Sequence, residues 1–278
     1  MTILVTGATG TVGRRVVAEL LQAERHVRAL TRNPASAALP GQVEVCKGDL
    51  ENPESLRAAL VGVERLYLFP VAQTAAEVVA MAVESGVRRI VDLSGAGADD
   101  ETFEDGYHVS ERAVEASGLD WTHVRPGEFA GNWLDWAPSI RAERVVRRPY
   151  GGALTQPTHE ADVAAVAAAV LLQDGHEGHT YTFAGPEALT IAQQAEAIGT
   201  ALGERVRLEE QDPVTARDQW IADGYPSEVV DWLFGMWAES ARDHDPFNEG
   251  WAAVIPRLTG RRGRTFAEWA VENVAAFR

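Results

Sequence analysis

The amino-terminal segment constrains the fold of this chain more than any other feature. Residues 2–6 form a short apolar run that predicts a buried strand, and the glycine-rich segment 7–13 follows it directly. Apolar residues then recur with helical spacing from Val12 to Leu21, which predicts an amphipathic helix. A strand, a glycine turn and a helix in this order leave first-turn amides free to face a pyrophosphate. The glycines let the backbone turn sharply and approach the phosphates closely.

This segment therefore predicts a nucleotide cofactor site, and a tight structural turn around an empty site is the alternative. The glycines are spaced G-x-x-G-x-x-G rather than in the commoner G-x-G-x-x-G pattern, so the position between strand and helix carries the argument. The residues expected to contact the cofactor here are Gly7, Thr9, Gly10, Thr11, Val12 and Gly13.

Size and charge limit the partners of the chain. Its 278 residues suit one α/β domain with an appended lobe. The net charge of −16 argues against a surface for nucleic acid or acidic lipid. No apolar run reaches the roughly 18 residues that a membrane helix needs, and no basic segment precedes the apolar amino terminus. We therefore expect a cytoplasmic protein, monomeric or homodimeric, that binds a small-molecule substrate and neither nucleic acid nor membrane.

Strand-like and helical segments alternate through the first half of the chain. This alternation predicts right-handed crossovers and a parallel sheet covered on both faces, that is, a doubly wound α/β domain of the Rossmann type over residues 1–130. The expected strands lie near 2–6, 27–31, 43–47, 65–69, 89–94 and 121–125, and the expected helices near 11–24, 53–60, 73–86 and 107–117.

The pattern changes after residue 126, where helical and irregular segments dominate. Short strands are expected near 180–184 and 205–209, and capping boxes at Thr190 and Thr265 predict two helices. We expect a smaller α+β lobe over residues 131–278, with the chain crossing between the two parts more than once. Seven of the eight tryptophans follow residue 130, so they either pack a core or line a pocket.

Residues at the ends of the predicted strands refine the cofactor prediction. Arg32 ends the second strand, where an acidic residue would bind the ribose 2′-hydroxyl of NAD. A guanidinium suits a 2′-phosphate instead, so NADP(H) is favoured over NAD, unless Arg32 is an ordinary exposed arginine. The other expected cofactor contacts at strand ends are Asp49, Leu50, Phe69, Pro70 and Ser94; Asp49 could instead cap a turn.

Several motifs together resemble one protein family. They are Val5-Thr6-Gly7-Ala8-Thr9-Gly10-Thr11-Val12-Gly13, Ala29-Leu30-Thr31-Arg32, Gly48-Asp49-Leu50, Asp92-Leu93-Ser94 and the segment from His108 to Asn132. On these motifs the chain resembles the NmrA-like atypical branch of the short-chain dehydrogenase/reductase superfamily. The resemblance implies an NAD(P)-binding domain, a small carboxyl-terminal lobe and a cleft between them. Members of this family include reductases of quinones and other electrophiles, and others bind NADP as redox-responsive regulators.

The chain departs from the wider superfamily at the proton relay. Classical members reduce carbonyls with a Tyr-x-x-x-Lys pair, whereas the only match in that register here is Tyr107-x-x-x-Glu111. The only lysine, Lys47, lies on the adenine side of the predicted site. The candidate catalytic residues are Tyr107, His108 and Glu111, because a His–carboxylate pair spaced i, i+3 could donate a proton near neutral pH. A helix-start histidine and a solvent-exposed glutamate are the alternative.

Other polar patterns receive different interpretations. The resemblance and position suggest that Phe129, Asn132, Trp133 and Trp136 face the substrate. The histidine spacings beginning at His159 and His176 fit helix capping and a turn better than a metal site, so no metal is predicted. The basic run Arg141, Arg144, Arg147 and Arg148 is interpreted as a solvated face rather than an anion site.

These observations predict an NADPH-dependent oxidoreductase that reduces a small apolar or aromatic electrophile, such as a quinone, enone or carbonyl, without a Tyr-x-x-x-Lys relay. Two alternatives remain open at this point. One is a non-catalytic NADP(H)-binding redox sensor or regulator. The other is an isomerase or cyclase of secondary metabolism that uses the fold without net redox chemistry.

Overall fold

The computed structural model describes residues 1–99, 106–243 and 248–278. The chain divides into two compact units. The first comprises Met1–Gly127, Glu160–Phe183 and Val254–Arg261, and the second comprises Glu128–His159, Ala184–Ala253 and Arg262–Arg278. The first boundary lies close to the one drawn from the sequence. Residues 160–183 and 254–261, however, return to the first unit rather than staying in the second.

Seven parallel strands form the sheet of the first unit, in the order β3-β2-β1-β4-β5-β6-β9. This confirms the predicted doubly wound α/β fold. The strands of the described chain are β1 (Thr2–Val5), β2 (His26–Thr31), β3 (Glu44–Lys47), β4 (Arg65–Leu68), β5 (Arg89–Leu93), β6 (Asp120–Pro126), β7 (Val145–Arg148), β8 (Leu154–Thr155), β9 (His179–Phe183), β10 (Leu189–Thr190) and β11 (Arg207–Glu210).

Helices connect the strands and supply the second unit. The α-helices are α1 (Gly13–Gln22), α2 (Arg57–Leu60), α3 (Ala75–Glu84), α4 (Tyr107–Glu115), α5 (Ala137–Glu143), α6 (Glu160–Leu172), α7 (Ile191–Leu202), α8 (Pro213–Ala222), α9 (Ser227–Asp243), α10 (Glu249–Ala252), α11 (Val254–Thr259) and α12 (Phe266–Glu272). Short 3₁₀ segments occupy Pro34–Ser36, Pro53–Leu56, Ala72–Thr74, Ala130–Trp136 and Val274–Phe277.

The apolar strands of the parallel sheet form the buried core of the first unit. Leu4, Leu66 and Ile90 lie in the middle of neighbouring strands and are inaccessible to solvent. Buried parallel strands are apolar on both faces because helices cover both faces of the sheet. Gly86 and Gly118 adopt positive φ just after α3 and α4, as expected of residues that follow a helix end.

One local expectation in this unit was wrong. The strand predicted near 180–184 forms as β9 but pairs with β6 in the main sheet, rather than belonging to the second lobe. Pairing between distant strands is a tertiary effect that local composition does not encode.

The second unit contains two small sheets and several helices. Strands β8 and β10 are antiparallel, whereas β7 and β11 are parallel. Both predicted capping boxes form, at Thr190 with Gln193 and at Thr265 with Glu268. In each box the threonine hydroxyl accepts a hydrogen bond from the backbone amide three residues later. The Gln193 or Glu268 side chain accepts one from the backbone amide of the threonine. Across the described residues, the helices lack the combination of length and hydropathy needed to span a bilayer.

Candidate functional site

The turn between β1 and α1 is built around glycines that closely approach other backbone atoms. Gly7 has φ +59°, the left-handed region that favours glycine. A Cβ placed on Gly13 would lie 2.1 Å from the Gly7 carbonyl oxygen, so no side chain fits there without opening the turn. The Phe69 ring covers Gly7 closely, with its Cβ 3.1 Å from the Cβ position of that glycine. The predicted glycine turn therefore has a geometry that only glycine at position 13 permits.

The amides that open α1 are available to a ligand. Within the described residues no acceptor is found for the amide groups of Thr11, Val12 and Gly13. Val12 precedes the helix without a side-chain cap, and no acidic residue stands in the first turn. Helix amides in this state carry partial positive charge and suit an anion. The residues present therefore fit a pyrophosphate held by the backbone of this turn.

Arg32 lies immediately after β2, exposed, at the carboxyl end of the sheet. No described residue accepts a hydrogen bond from its guanidinium group or forms an ion pair with it. Arg28 on the same strand contrasts with it, because Arg28 binds the carbonyl oxygens of Ala59 and Val61. An exposed guanidinium with free donors fits a 2′-phosphate, and the preference for NADP(H) through Arg32 stays a prediction.

The other expected cofactor residues follow the ends of neighbouring strands. Asp49 caps a turn, since its Oδ1 accepts from the Glu51 amide at 3.1 Å, which is the alternative considered for this residue. Leu50 packs in the hydrophobic core, and its carbonyl oxygen accepts from Thr74 Oγ1. Both residues are therefore engaged by the protein itself, and a cofactor role for either remains a prediction.

Phe69, Pro70 and Ser94 stand at the ends of β4 and β5. The Phe69 amide donates to Thr6 Oγ1 at 2.7 Å, which fixes the residue beside the glycine turn, while 44% of its surface stays exposed. Pro70 follows it and is half-buried. Ser94 is buried, and its Oγ has no hydrogen-bond partner in the described part of the chain. A buried hydroxyl without a partner is costly unless a ligand or water binds it.

Tyr107 and His108 open α4 next to the end of β5. The Tyr107 ring covers Gly95 so closely that a Cβ there would lie 2.7 Å from Tyr107 Cε2. Partial burial raises the pKa of the Tyr107 hydroxyl, which keeps it protonated at neutral pH. His108 is half-buried, and its Nδ1 has no hydrogen-bond partner among the residues described. Both side chains therefore keep a donor or acceptor that no described residue uses.

The expected pair between His108 and Glu111 does not form. Glu111 is 4% exposed rather than solvated, and Arg125 holds its carboxylate through two hydrogen bonds of 2.8 and 2.6 Å. Asp99 accepts a further bond from the same guanidinium. This geometry is the bidentate arrangement that arginine and carboxylate prefer. The interactions with Glu111 and Asp99 raise the pKa of Arg125 further, so the guanidinium stays charged.

The sequence analysis did not predict a second buried ion pair, which Asp92 and His123 form beside α4. Asp92 and His123 are register partners on β5 and β6, both inaccessible to solvent, and His123 Nδ1 lies 2.7 Å from Asp92 Oδ1. Burial opposes the charged form of His123, but the bond to Asp92 raises its pKa overall. Burial raises the pKa of Asp92. The sequence signal that could have predicted this pair is the presence of one ionisable residue in the middle of each of two predicted buried strands.

Asp92, Glu111 and His123 bring ligand-type atoms within 4.8 Å of one another. Each is already engaged, because Arg125 occupies both oxygens of Glu111 and His123 bonds Asp92. The group is therefore a network of internal ion pairs that packs α4 against the sheet.

The residues expected to face the substrate lie in the second unit. Phe129 is half-buried and Asn132 is exposed. Trp133 and Trp136 are buried, at 1% and 5% exposure, and stack with ring centroids 4.7 Å apart. Both rings belong to the hydrophobic core of the second unit, and a substrate contact for either residue stays a prediction.

The basic run 141–148 also differs from its interpretation as a solvated face. Arg147 fits that interpretation, since it bonds Glu143 and Glu209 at the surface. Arg148 does not, because only 7% of it is exposed. Successive residues of a strand point to opposite faces, so two adjacent arginines on β7 cannot share one environment.

Comparison with known proteins identifies the class to which this fold and glycine turn belong, the nicotinamide-dinucleotide-binding oxidoreductases. Residues 7–174 match the NAD(P)H-binding family, and the chain belongs to that family. The match agrees with the resemblance to the NmrA-like branch drawn from the motifs, and it confirms the predicted nicotinamide cofactor.

Several relatives are reductases or oxidoreductases that align over nearly their whole length. A (4-alkanoyl-5-oxo-2,5-dihydrofuran-3-yl)methyl phosphate reductase of Streptomyces griseus is 40% identical, over 99% of both chains. An NAD(P)H azoreductase of Xenophilus azovorans is 34% identical over the same shares. The structure of an NADPH-dependent quinone oxidoreductase from Escherichia coli, complexed with NADPH, superposes with a TM-score of 0.81 at 28% identity, covering 98% of this chain and 99% of that one.

Proposed function

We propose that the protein is an NADPH-dependent reductase of a small apolar or aromatic electrophile, namely a quinone, enone or carbonyl conjugated to an unsaturated system. The observation that carries this proposal is the state of Glu111. It stands where a Tyr-x-x-x-Lys relay would have its lysine, and Arg125 holds it in a buried ion pair. Among the residues that the structure describes, no cation therefore acts on Tyr107 to lower the pKa of its hydroxyl. Acceptors that need an activated tyrosine are disfavoured.

The cofactor would be held by residues of the first unit alone. The amides of Thr11, Val12 and Gly13 would bind the pyrophosphate, and Arg32 the 2′-phosphate. Phe69 and Ser94 would contact the nucleoside portions beyond the turn. When bound, NADPH supplies a hydride. The fit rests on donors that have no acceptor among the described residues, on a buried hydroxyl without a partner and on a turn that excludes a side chain at position 13.

The relatives support this class of acceptor. Their names include a quinone oxidoreductase and a reductase of an alkanoyl-substituted oxodihydrofuranyl methyl phosphate. Both compounds contain a carbonyl conjugated to a carbon–carbon double bond, which accepts a hydride without prior protonation of the oxygen. Reduction then places negative charge on oxygen, and one proton completes the product. Tyr107, protonated because burial raises its pKa, and His108, with a free Nδ1, are the side chains proposed to donate it.

The test is loss of NADPH absorbance at 340 nm with a panel of quinones, enones and simple carbonyls, with products identified by mass spectrometry. We expect turnover with conjugated acceptors and little with isolated ketones. Tyr107→Phe and His108→Asn should lower kcat for enones more than for quinones, because a reduced quinone can take its proton from water. Tight NADPH binding with no oxidation by any acceptor would support a redox sensor instead. Product formed without net NADPH consumption would support an isomerase or cyclase.

A further inference from the structure

The second unit contains a buried arginine enclosed by tryptophan rings. The Arg148 guanidinium lies over four indoles, with Cζ at 4.5 Å from the ring centroids of Trp220 and Trp237, 5.1 Å from Trp133 and 5.9 Å from Trp136. We call Arg148 and these four residues the tryptophan cage. Cation–π contacts stabilise a desolvated guanidinium, but they satisfy none of its hydrogen-bond donors.

No described residue accepts a hydrogen bond from the Arg148 side chain or forms a salt bridge with it. Its neighbour Arg147 bonds its register partner Glu209, but Arg148 does not bond its own, Glu210. The Glu210 carboxylate turns to the Gly151 amide instead, at 3.0 and 3.1 Å. A nearly buried cation without an acceptor among the described residues is costly unless another group completes its coordination.

Three polar atoms around the cage also have no partner among the described residues. The indole N–H groups of Trp133 and Trp237 are buried without a partner in the described chain, and so is Glu128 Oε2. Burial raises the pKa of Glu128 to about 7, although Arg148 acts to lower it. A large share of Glu128 is therefore neutral near pH 7, which weakens the compensation of the Arg148 charge by this carboxylate. Burial lowers the pKa of Arg148 to about 10, so the guanidinium remains charged.

The cage is close to the surface on one side. Asp135 and Tyr225 act electrostatically on Arg148, and both are exposed. Their side chains are joined by a long hydrogen bond from Tyr225 to Asp135 of 3.4 Å.

From this geometry we propose that the tryptophan cage binds an oxyanion, a carboxylate or a phosphate, carried on an apolar or aromatic small molecule. Arg148 would donate two parallel hydrogen bonds to the anion, and the indoles would contact its apolar body. The identification of this ligand as the substrate of the reductase rests on the proposed function. The anion site itself does not, because it can be measured by binding alone.

The test measures binding of benzoate and phenyl phosphate, with neutral benzamide as the isostere, to protein saturated with NADP⁺ so that the cofactor site is filled. Quenching of tryptophan fluorescence and isothermal calorimetry are the readouts. We expect at least one anion to bind about tenfold or more tightly than benzamide, and Arg148→Met to abolish that difference. The anion bound more tightly identifies the natural group as carboxylate or phosphate. Arg147→Met, which removes an exposed arginine on the same strand, should leave binding unchanged.

Two further measurements keep the proposal open to refutation if Arg148→Met does not fold. Arg148→Lys retains the charge without the planar fork and should weaken the anion about tenfold. In the unaltered protein the anions, but not benzamide, should raise the thermal unfolding midpoint. Equal binding of anions and benzamide, or equal anion affinity in Arg148→Lys, would overturn the proposal. Neither result depends on NADPH oxidation, so failure of the anion site is distinguishable from failure of the reductase proposal.

Discussion

Replacing Arg32 with alanine separates a binding role from a structural one. Arg32 is exposed, and its guanidinium bonds no described residue, so its removal breaks no internal contact. We therefore expect the free energy of unfolding of the cofactor-free protein to change by less than about 0.5 kcal/mol. A charge-assisted contact to the 2′-phosphate contributes about 1.5–3 kcal/mol. The dissociation constant of NADPH should accordingly rise about 10- to 100-fold.

Calorimetric titration with NADPH and NADH provides the assay, since NADH lacks the 2′-phosphate. The affinity for NADH should stay within about twofold of the unaltered protein. Arg25→Ala is the matched control, because Arg25 is also exposed but precedes the amino end of β2, whereas Arg32 follows its carboxyl end. Equal weakening of both nucleotides by Arg32→Ala, or unchanged NADPH affinity, would refute the assignment of Arg32 to the 2′-phosphate.

Three other substitutions test the internal geometry, each by urea unfolding. Gly13→Ala places a Cβ 2.1 Å from a carbonyl oxygen and should cost about 1–3 kcal/mol and weaken NADPH binding, whereas Gly41→Ala, with open space around it, should do neither. Arg125→Met leaves the buried carboxylate of Glu111 unpaired and should destabilise the fold by about 3–5 kcal/mol; a loss below 1 kcal/mol would mean that the pair is not buried in solution. The pKa of Glu128 is raised to about 7 in the folded protein, so the unfolded chain loses this proton at lower pH than the folded protein does. The free energy of unfolding should therefore fall as the pH rises from about 4.5 to about 7. Relative to Glu128→Gln, the unaltered protein should lose about 2–4 kcal/mol across that interval, and parallel pH profiles would contradict the burial of this carboxyl.

The sheet and the glycine turn could be predicted because their signals are local. Each strand of the main sheet is a run of four to seven residues that includes apolar side chains, and such a run is visible within one short segment. The glycine whose Cα closely approaches a carbonyl oxygen, Gly13, lies only six residues from its contact at Gly7. Arg32 could be placed for the same reason, since the end of β2 follows directly from its periodicity. The family match and the sheet order agree with these local predictions.

The partners of charged residues could not be predicted in this way. Glu111 was paired with His108 because helical spacing brings i and i+3 together, but its partner Arg125 stands on β6, on another element. Position on the helix determines which side chains share a face and leaves open what packs against that face. The Asp92–His123 pair likewise depends on the register of β5 against β6.

Arg148 shows how strand periodicity could have sharpened the prediction. A run of arginines suggests a solvated surface, but alternation along β7 requires one of two adjacent side chains to face inward. The chain carries 41 acidic and 25 basic residues, so carboxylates are abundant enough to pair an internal arginine. Arg125 and Arg89 are paired in this way, with Glu111 and with Asp174. Arg148 instead has indole rings around it, and the carboxylate of its register partner on β11 is turned elsewhere. Glu128 and Asp135 act on this guanidinium electrostatically, but neither forms a salt bridge with it among the described residues. A buried guanidinium without such a pair is best explained by an anion that comes from outside the chain.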